Sequence, residues 1–138
     1  MDITRREAML GALLPLFHAA SITRAEAQQT PAQSAVFEHD LPNITLDGWQ
    51  VNVSMITLAP GSVGTAHRHP GFVLVYVLEG EIITKISDQP QATYKAGQMF
   101  YEQPGSTHEV NRNASGTKAA KFLAMIFAKK GLPLLTPA

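Results

Sequence analysis

The order of apolar and polar residues along the chain predicts many short β-strands. Phe72–Leu78 is an unbroken apolar run rich in β-branched residues, which is typical of a strand buried on both faces. Trp49–Leu58 instead alternates between apolar and polar residues, which predicts a half-buried strand. One side of this strand has Val51, Val53 and Met55, and the other side has Asn52 and Ser54.

Turn signals separate the other strand-like runs, which are Ala35–His39, Glu81–Ile86, Ala92–Lys95, Gln98–Tyr101 and His108–Arg112. Glu79-Gly80 lies between two such runs and predicts a tight hairpin. Lys118–Lys129 is ambiguous, because it contains a segment of good helix formers. The tail 131–138 holds prolines and predicts an extended arm. Many short strands bounded by turns predict an all-β fold, a closed sandwich or barrel.

The N-terminal residues have the features of an export signal. Thr4–Leu10 contains Arg5-Arg6 and resembles a twin-arginine signal. The apolar stretch Ala8–Ile22 is too short to span a bilayer stably, and Ala25-Glu26-Ala27 fits a small-x-small cleavage site. We therefore expect a bacterial protein in the periplasm or secreted. Its segments would be a cleaved signal peptide at 1–27 and a flexible lead-in at 28–34.

The composition limits the remaining function classes. A mature chain of about 111 residues suits one domain with one core. Eleven basic residues balance eleven acidic ones, and no basic run marks a nucleic-acid surface. No second apolar segment is present for a membrane span after processing. Cysteine is absent, so no disulfide stabilises the fold.

Three histidines carry the candidate chemistry. His67 and His69 are two residues apart, and side chains with that spacing leave the same face of a β-strand. His108 follows about forty residues later. Imidazoles that converge in an apolar interior hold transition metals through nitrogen, and such a set suits Fe, Mn, Ni, Cu, Co or Zn. The sequence therefore predicts a divalent metal at His67, His69 and His108.

Two motifs around these histidines resemble those of the cupin superfamily. Gly61, five residues, His67-x-His69 and then Gly80 resemble the first motif. The second, looser match consists of Gly97, Pro104, Gly105, His108 and Asn111. The resemblance implies a cupin-type jelly roll, also called a double-stranded β-helix barrel, over residues 35–130, with the arm at 131–138. It favours a strand at Lys118–Lys129, and we expect a homodimer that pairs through an edge strand.

The chain departs from the first motif at one position. Val73 stands where the family usually has a metal-binding glutamate. Three outcomes stay open: a metal with three protein ligands and an open position, a shell completed by Glu102, or loss of the metal. Glu102 is also a candidate general base, and Tyr76 a candidate hydrogen-bond donor into the cavity. We expect the Asn111 side chain to bond the backbone.

The resemblance implies a site for a small organic ligand or substrate inside the barrel. An apolar pocket could be lined by Phe100, Tyr101, Phe122, Met125 and Phe127. The first hypothesis is an exported metalloenzyme, with dioxygenase chemistry first and isomerase or decarboxylase chemistry as alternatives. The second hypothesis is a non-enzymatic module that binds a small ligand or buffers metal, since one fold hosts many functions.

Overall fold

The computed structural model describes residues 32–138. This part of the chain contains nine β-strands joined by loops and turns, and no helix. The predicted signal peptide and the first residues of the lead-in lie outside this part. The strands are β1 Trp49–Leu58, β2 His67–Arg68, β3 Phe72–Glu79, β4 Glu81–Ile86, β5 Ala92–Lys95, β6 Met99–Glu102, β7 Thr107–Asn113, β8 Ala120–Lys129 and β9 Thr136–Pro137. Residues 32–138 accordingly include no helix of membrane-spanning length and hydrophobicity.

The strands form two antiparallel sheets, which confirms the predicted all-β class. One sheet has the order β1-β8-β3-β6, and the other has the order β5-β4-β7-β2-β9. The hydrophobic core is built from both sheets, with Val73, Val75 and Phe122 from the first and Ile82 and Ile86 from the second. In β3, Val73, Val75 and Val77 are buried on this inner side, whereas Leu74, Tyr76 and Leu78 on the outer side are half-buried.

The ambiguous segment Lys118–Lys129 forms strand β8, as the resemblance favoured. Every second residue of β8 is buried, from Ala120 to Ala128. All ten of its residues pair with β1, and most also pair with β3. A central strand gains this burial and hydrogen bonds to two neighbouring strands. These gains outweigh the preference of the segment for a helix, because intrinsic propensity is a small effect.

The predicted hairpin at Glu79-Gly80 is wrong. β3 pairs with β6 and β8, whereas β4 pairs with β5 and β7, so the chain changes sheet at Gly80. Gly80 has a φ of +74°, and an added Cβ would lie 3.0 Å from the carbonyl oxygen of Ala119. Glycine is therefore required at this corner by both conformation and space.

The first predicted strand, Ala35–His39, is also absent. These residues make no ladder with either sheet, and most are exposed. The His39 ring instead packs against Tyr101, with 4.1 Å between ring centroids. The segment therefore contacts the outer side of the first sheet through His39 and does not pair with it as a strand.

Strand β1 is half-buried as predicted, but its polar side faces inward. Val51, Val53 and Met55 are 50%, 56% and 67% exposed. The register sets Ser54 opposite Ala124, a buried residue of β8 that faces the interior. The Ser54 hydroxyl donates to Asn52 Oδ1 at 2.9 Å, so the inward polar groups of β1 satisfy each other.

The C-terminal arm is extended, and it ends in the short strand β9. Thr136 and Pro137 pair with Arg68 and His67 of β2. Leu134 packs against the hydrophobic core. The sequence predicts the extended shape of the arm but not its pairing beside the histidines.

Candidate functional site

The fold brings the three predicted histidines together. β2 and β7 are antiparallel neighbours, and their register places His67 directly opposite His108. The ring centroid of His67 lies 4.9 Å from that of His69 and 5.1 Å from that of His108. Arg68 points away, because its Nε donates to Thr107 Oγ1 at 2.9 Å on the exposed side. The two-residue spacing thus has the effect that strand geometry predicts.

Glu102 joins the histidines from the other sheet. It is 3% exposed, and its Oε1 lies 3.2 Å from His108 Nδ1. Its Oε2 lies 3.8 Å from His69 Nε2. In the described part of the chain, these two histidines are the only ionic partners of Glu102. A carboxylate buried without a lysine or arginine partner is costly, so a positive charge beside it would stabilise the fold.

The register of β3 and β6 explains why Glu102 reaches this place. Val73 and Glu102 are directly opposite each other in the antiparallel pair. Residues opposite each other share a face of the sheet, with Cβ atoms about 5 Å apart. Glu102 therefore lies beside position 73, where the family motif has its carboxylate.

Hydrogen bonds orient each imidazole. His67 Nδ1 donates to the carbonyl oxygen of Thr65 at 2.8 Å, and His69 Nδ1 donates to that of Leu134 at 2.6 Å. Because a carbonyl only accepts, each neutral ring carries its proton on Nδ1 and its lone pair on Nε2. His108 Nε2 bonds Thr84 Oγ1 at 2.6 Å, so its Nδ1 faces Glu102. Partners of this kind fix metal-binding histidines in proteins.

The electrostatic environment of His67 favours its neutral form. Burial is the main cause that lowers its pKa below the ordinary value of 6.5. The hydrogen bond to the Thr65 carbonyl raises this pKa, the neighbouring His108 and His69 lower it, and Glu102 raises it. A neutral imidazole is the form that ligates a metal.

A cavity of about 280 Å³ lies beside these groups. Its lining is mostly apolar, with Ile56, Val75, Phe122, Ala124, Ile126, Leu134 and Leu135. Of the predicted aromatic and methionine lining, Phe122 alone reaches this cavity. Tyr101, Met125 and Phe127 lie on the outer side of the first sheet, and Phe100 packs beside His108 with 6.1 Å between ring centroids.

Tyr76 is not brought to this cavity. It lies in β3 between Val75 and Val77, and its side chain leaves the face opposite to theirs. The cavity is lined by Val73 and Val75, which occupy the inner face. The hypothesis that Tyr76 donates a hydrogen bond into the cavity is therefore not supported.

The two asparagines of β7, Asn111 and Asn113, have different surroundings. Asn113 Nδ2 donates to the carbonyl oxygens of Leu58, Ala59 and Lys118 at 3.2, 3.1 and 2.7 Å. Asn111 instead lines the cavity, and its buried Oδ1 has no hydrogen-bond partner. The prediction that the Asn111 side chain bonds the backbone is therefore wrong, and Asn113 has that role.

The side chains at this site are of the types that bind divalent transition metals. Three imidazoles and one buried carboxylate are the ligand types that such metals prefer. As the side chains are placed, Glu102 contacts His108 directly, and residues 32–138 contain no group of three or more ligating side chains around one point. The residue types and the hydrogen bonds that orient the imidazoles are therefore those of a metal site, although the side chains do not surround a common point.

Solved structures support the fold. A Klebsiella pneumoniae protein with a double-stranded β-helix domain is 21% identical, with a TM-score of 0.53 over 64% of this chain and 76% of that chain. The lyase DddQ of Ruegeria pomeroyi, which acts on DMSP, is 15% identical, with a TM-score of 0.56 over 64% of this chain and 43% of that chain. Oxalate decarboxylase of Lactobacillus farciminis is 15% identical, with a TM-score of 0.53 over 63% and 26%.

These likenesses show a shared fold, and the match spans less than half of the two enzymes. No curated protein sequence matches the chain. The cupin domain family matches residues 54–126, which is more than half of the sequence and includes both histidine motifs. The chain therefore belongs to the cupin family.

Proposed function

We propose that this cupin binds one divalent transition metal through His67, His69, His108 and Glu102. The observation that carries the proposal is the buried Glu102 carboxylate, which faces two imidazole nitrogens and has no lysine or arginine partner among the described residues. A dication balances this charge and uses the lone pairs of the neutral imidazoles. The metal is Fe, Mn, Ni, Cu, Co or Zn.

We further propose that the protein is an enzyme acting on a small organic molecule. A bound metal with an open position supplies Lewis-acid and oxygen-binding chemistry. The chain supplies a mostly apolar cavity of about 280 Å³ that would hold a ligand against the histidines. Dioxygenase chemistry is the first candidate, and isomerase or decarboxylase chemistry are the alternatives.

The second candidate is a module that binds a small ligand without converting it. This candidate is favoured because the lining residues include no acid–base group beyond the four proposed metal ligands, and the rest of the wall is largely apolar. Oxygen uptake distinguishes the two functions. An enzyme of the first kind consumes oxygen in a saturable way with an enolic or phenolic substrate, whereas the module binds the same compound without consumption.

Export by the twin-arginine route is also a proposal. Mass spectrometry of the exported protein should find an N-terminus at Gln28, because Ala25-Glu26-Ala27 precedes it. Exchanging Arg5 and Arg6 for lysine should leave precursor in the cytoplasm. Normal export of that variant would contradict the twin-arginine signal.

We propose a homodimer that forms through strand β1. This strand pairs with β8 on one side only, and its ten residues include no charged side chain. Unprotected edges of this kind pair with other strands, and antiparallel pairing of one strand with its own copy is self-complementary. Val53→Asp should therefore give a monomer in light scattering after size exclusion, while Asp88→Asn should leave the dimer intact. A monomeric wild type would contradict the proposal.

A further inference from the structure

The cavity wall is mostly apolar and contains a few polar side chains. His67, His69, His108, Glu102, Asn111 and Ser54 supply all of its polar side chains. The Ser54 hydroxyl already donates to Asn52, and the imidazoles and Glu102 form the candidate metal site. No lysine or arginine lines the cavity, so no side chain there can neutralise a second anionic group of a ligand.

Asn111 is the polar group that the proposed metal site does not use. Its Oδ1 is buried and has no hydrogen-bond partner, although buried polar atoms in proteins almost always have one. Its backbone is fixed, because the Asn111 carbonyl accepts from the Gly64 N–H at 2.6 Å and its neighbour across the ladder is Thr84. Asn111 is thus a fixed lining residue of the cavity whose amide oxygen has no protein partner.

A β-bulge aims Asn111 and His108 at the same cavity. Residues three apart on a regular strand leave opposite faces. In the β4–β7 ladder, Lys85 pairs with Val110 and Ile86 pairs with His108, so Glu109 is the extra residue. Such an insertion shifts the alternation by one, which places both side chains inward. Bulges of this kind re-aim side chains at functional sites.

We infer that the ligand is a small molecule with an apolar body and one hydroxyl or N–H group, and that this group donates to Asn111 Oδ1. The cavity volume of about 280 Å³ suits a single ring with a short side chain. A dianionic acid does not fit, because the lining residues include no cation beyond the proposed metal. The inference rests on the proposed function in taking the histidine cavity as the ligand site.

Three probes with one shared body test this class: para-propylphenol, propylbenzene and para-propylbenzoate. Calorimetric titration of the exported chain, stripped of metal, should show the phenol binding at least about tenfold more tightly than propylbenzene. The benzoate should bind more weakly than the phenol. Tightest binding of the benzoate, or binding of none of the three probes, would overturn the inference.

Variants of Asn111 test whether its amide oxygen causes the tighter binding of the phenol. Asn111→Leu should bind the phenol and propylbenzene with equal affinity, whereas Asn111→Gln, which keeps an uncharged amide acceptor, should retain the preference for the phenol. The matched control Asn43→Leu makes the same exchange in an exposed segment and should behave as wild type. If Asn111→Leu does not melt cooperatively, Asn111→Ala replaces it. An unchanged preference for phenol in a folded variant without the amide would overturn the inference.

Metal content measured on protein samples before stripping separates the two proposals. Protein that never held metal but shows the Asn111-dependent preference would contradict the metal site and leave the ligand class standing. Protein that holds metal without this preference would contradict the ligand class alone.

Discussion

Glu102→Val should lower the metal affinity by at least about 100-fold, and adding Val73→Glu to that variant should restore most of it. The two positions are directly opposite each other on β6 and β3, so the double variant moves one carboxylate across one strand spacing. The number of carboxylates and the volume of the pair stay the same. Competition against a chromophoric chelator measures the affinity of all three proteins.

Val73→Glu alone gives a second test of the same geometry. It places two carboxylates side by side, and Val73 is 1% exposed. Like charges in a buried pair destabilise the fold, so the melting temperature without metal should fall and added metal should recover part of it. Glu79→Val is the matched control for Glu102→Val, because it makes the same exchange at an exposed partner of Lys121 and should leave the metal affinity unchanged. Unchanged metal affinity in Glu102→Val would show that the histidines bind without this carboxylate.

Removing residues 132–138 should weaken metal binding by about 10-fold to 100-fold and open the cavity to solvent. The carbonyl of Leu134 accepts from His69 Nδ1 at 2.6 Å, which holds the His69 Nε2 lone pair toward the site. Leu134 and Leu135 also form part of the cavity wall. Chelator competition measures the affinity, and binding of a dye sensitive to apolar surfaces measures the opening.

Two point variants separate these effects of the arm. Leu135→Ala keeps the Leu134 carbonyl and should enlarge the cavity with little loss of metal affinity. Leu132→Ala is the control, because Leu132 is 46% exposed and does not line the cavity. Full metal affinity in a folded protein without the arm would show that His69 needs no orienting carbonyl from it.

Local patterns predicted the all-β class and the histidine cluster. The spacing of His67 and His69 acts over β2 and the residue directly after it, so it needed no knowledge of pairing. The alternation of β1 was also visible, but not its direction. Which side faces inward depends on β8 and on the cavity, and here the cavity accepts Ser54 while the outer face is apolar.

Register and topology determine what the sequence did not show. Glu102 was a candidate through its closeness to His108 in sequence, yet its role depends on pairing with Val73 across β3 and β6. Asn111 faces the cavity because of the bulge at Glu109, and the Leu134 carbonyl arrives from the far end of the chain. A single sequence contains no direct signal for pairings between distant segments.

The metal content of the exported protein after dialysis tests the central claim most directly. Elemental analysis of wild type should find about one divalent transition metal per chain. His39→Ala, which removes a histidine packed against Tyr101 on the outside of the first sheet, should retain the same amount. His108→Ala should lose nearly all of it. Equal metal in wild type and His108→Ala, or no metal in either, would contradict a metal site at these histidines.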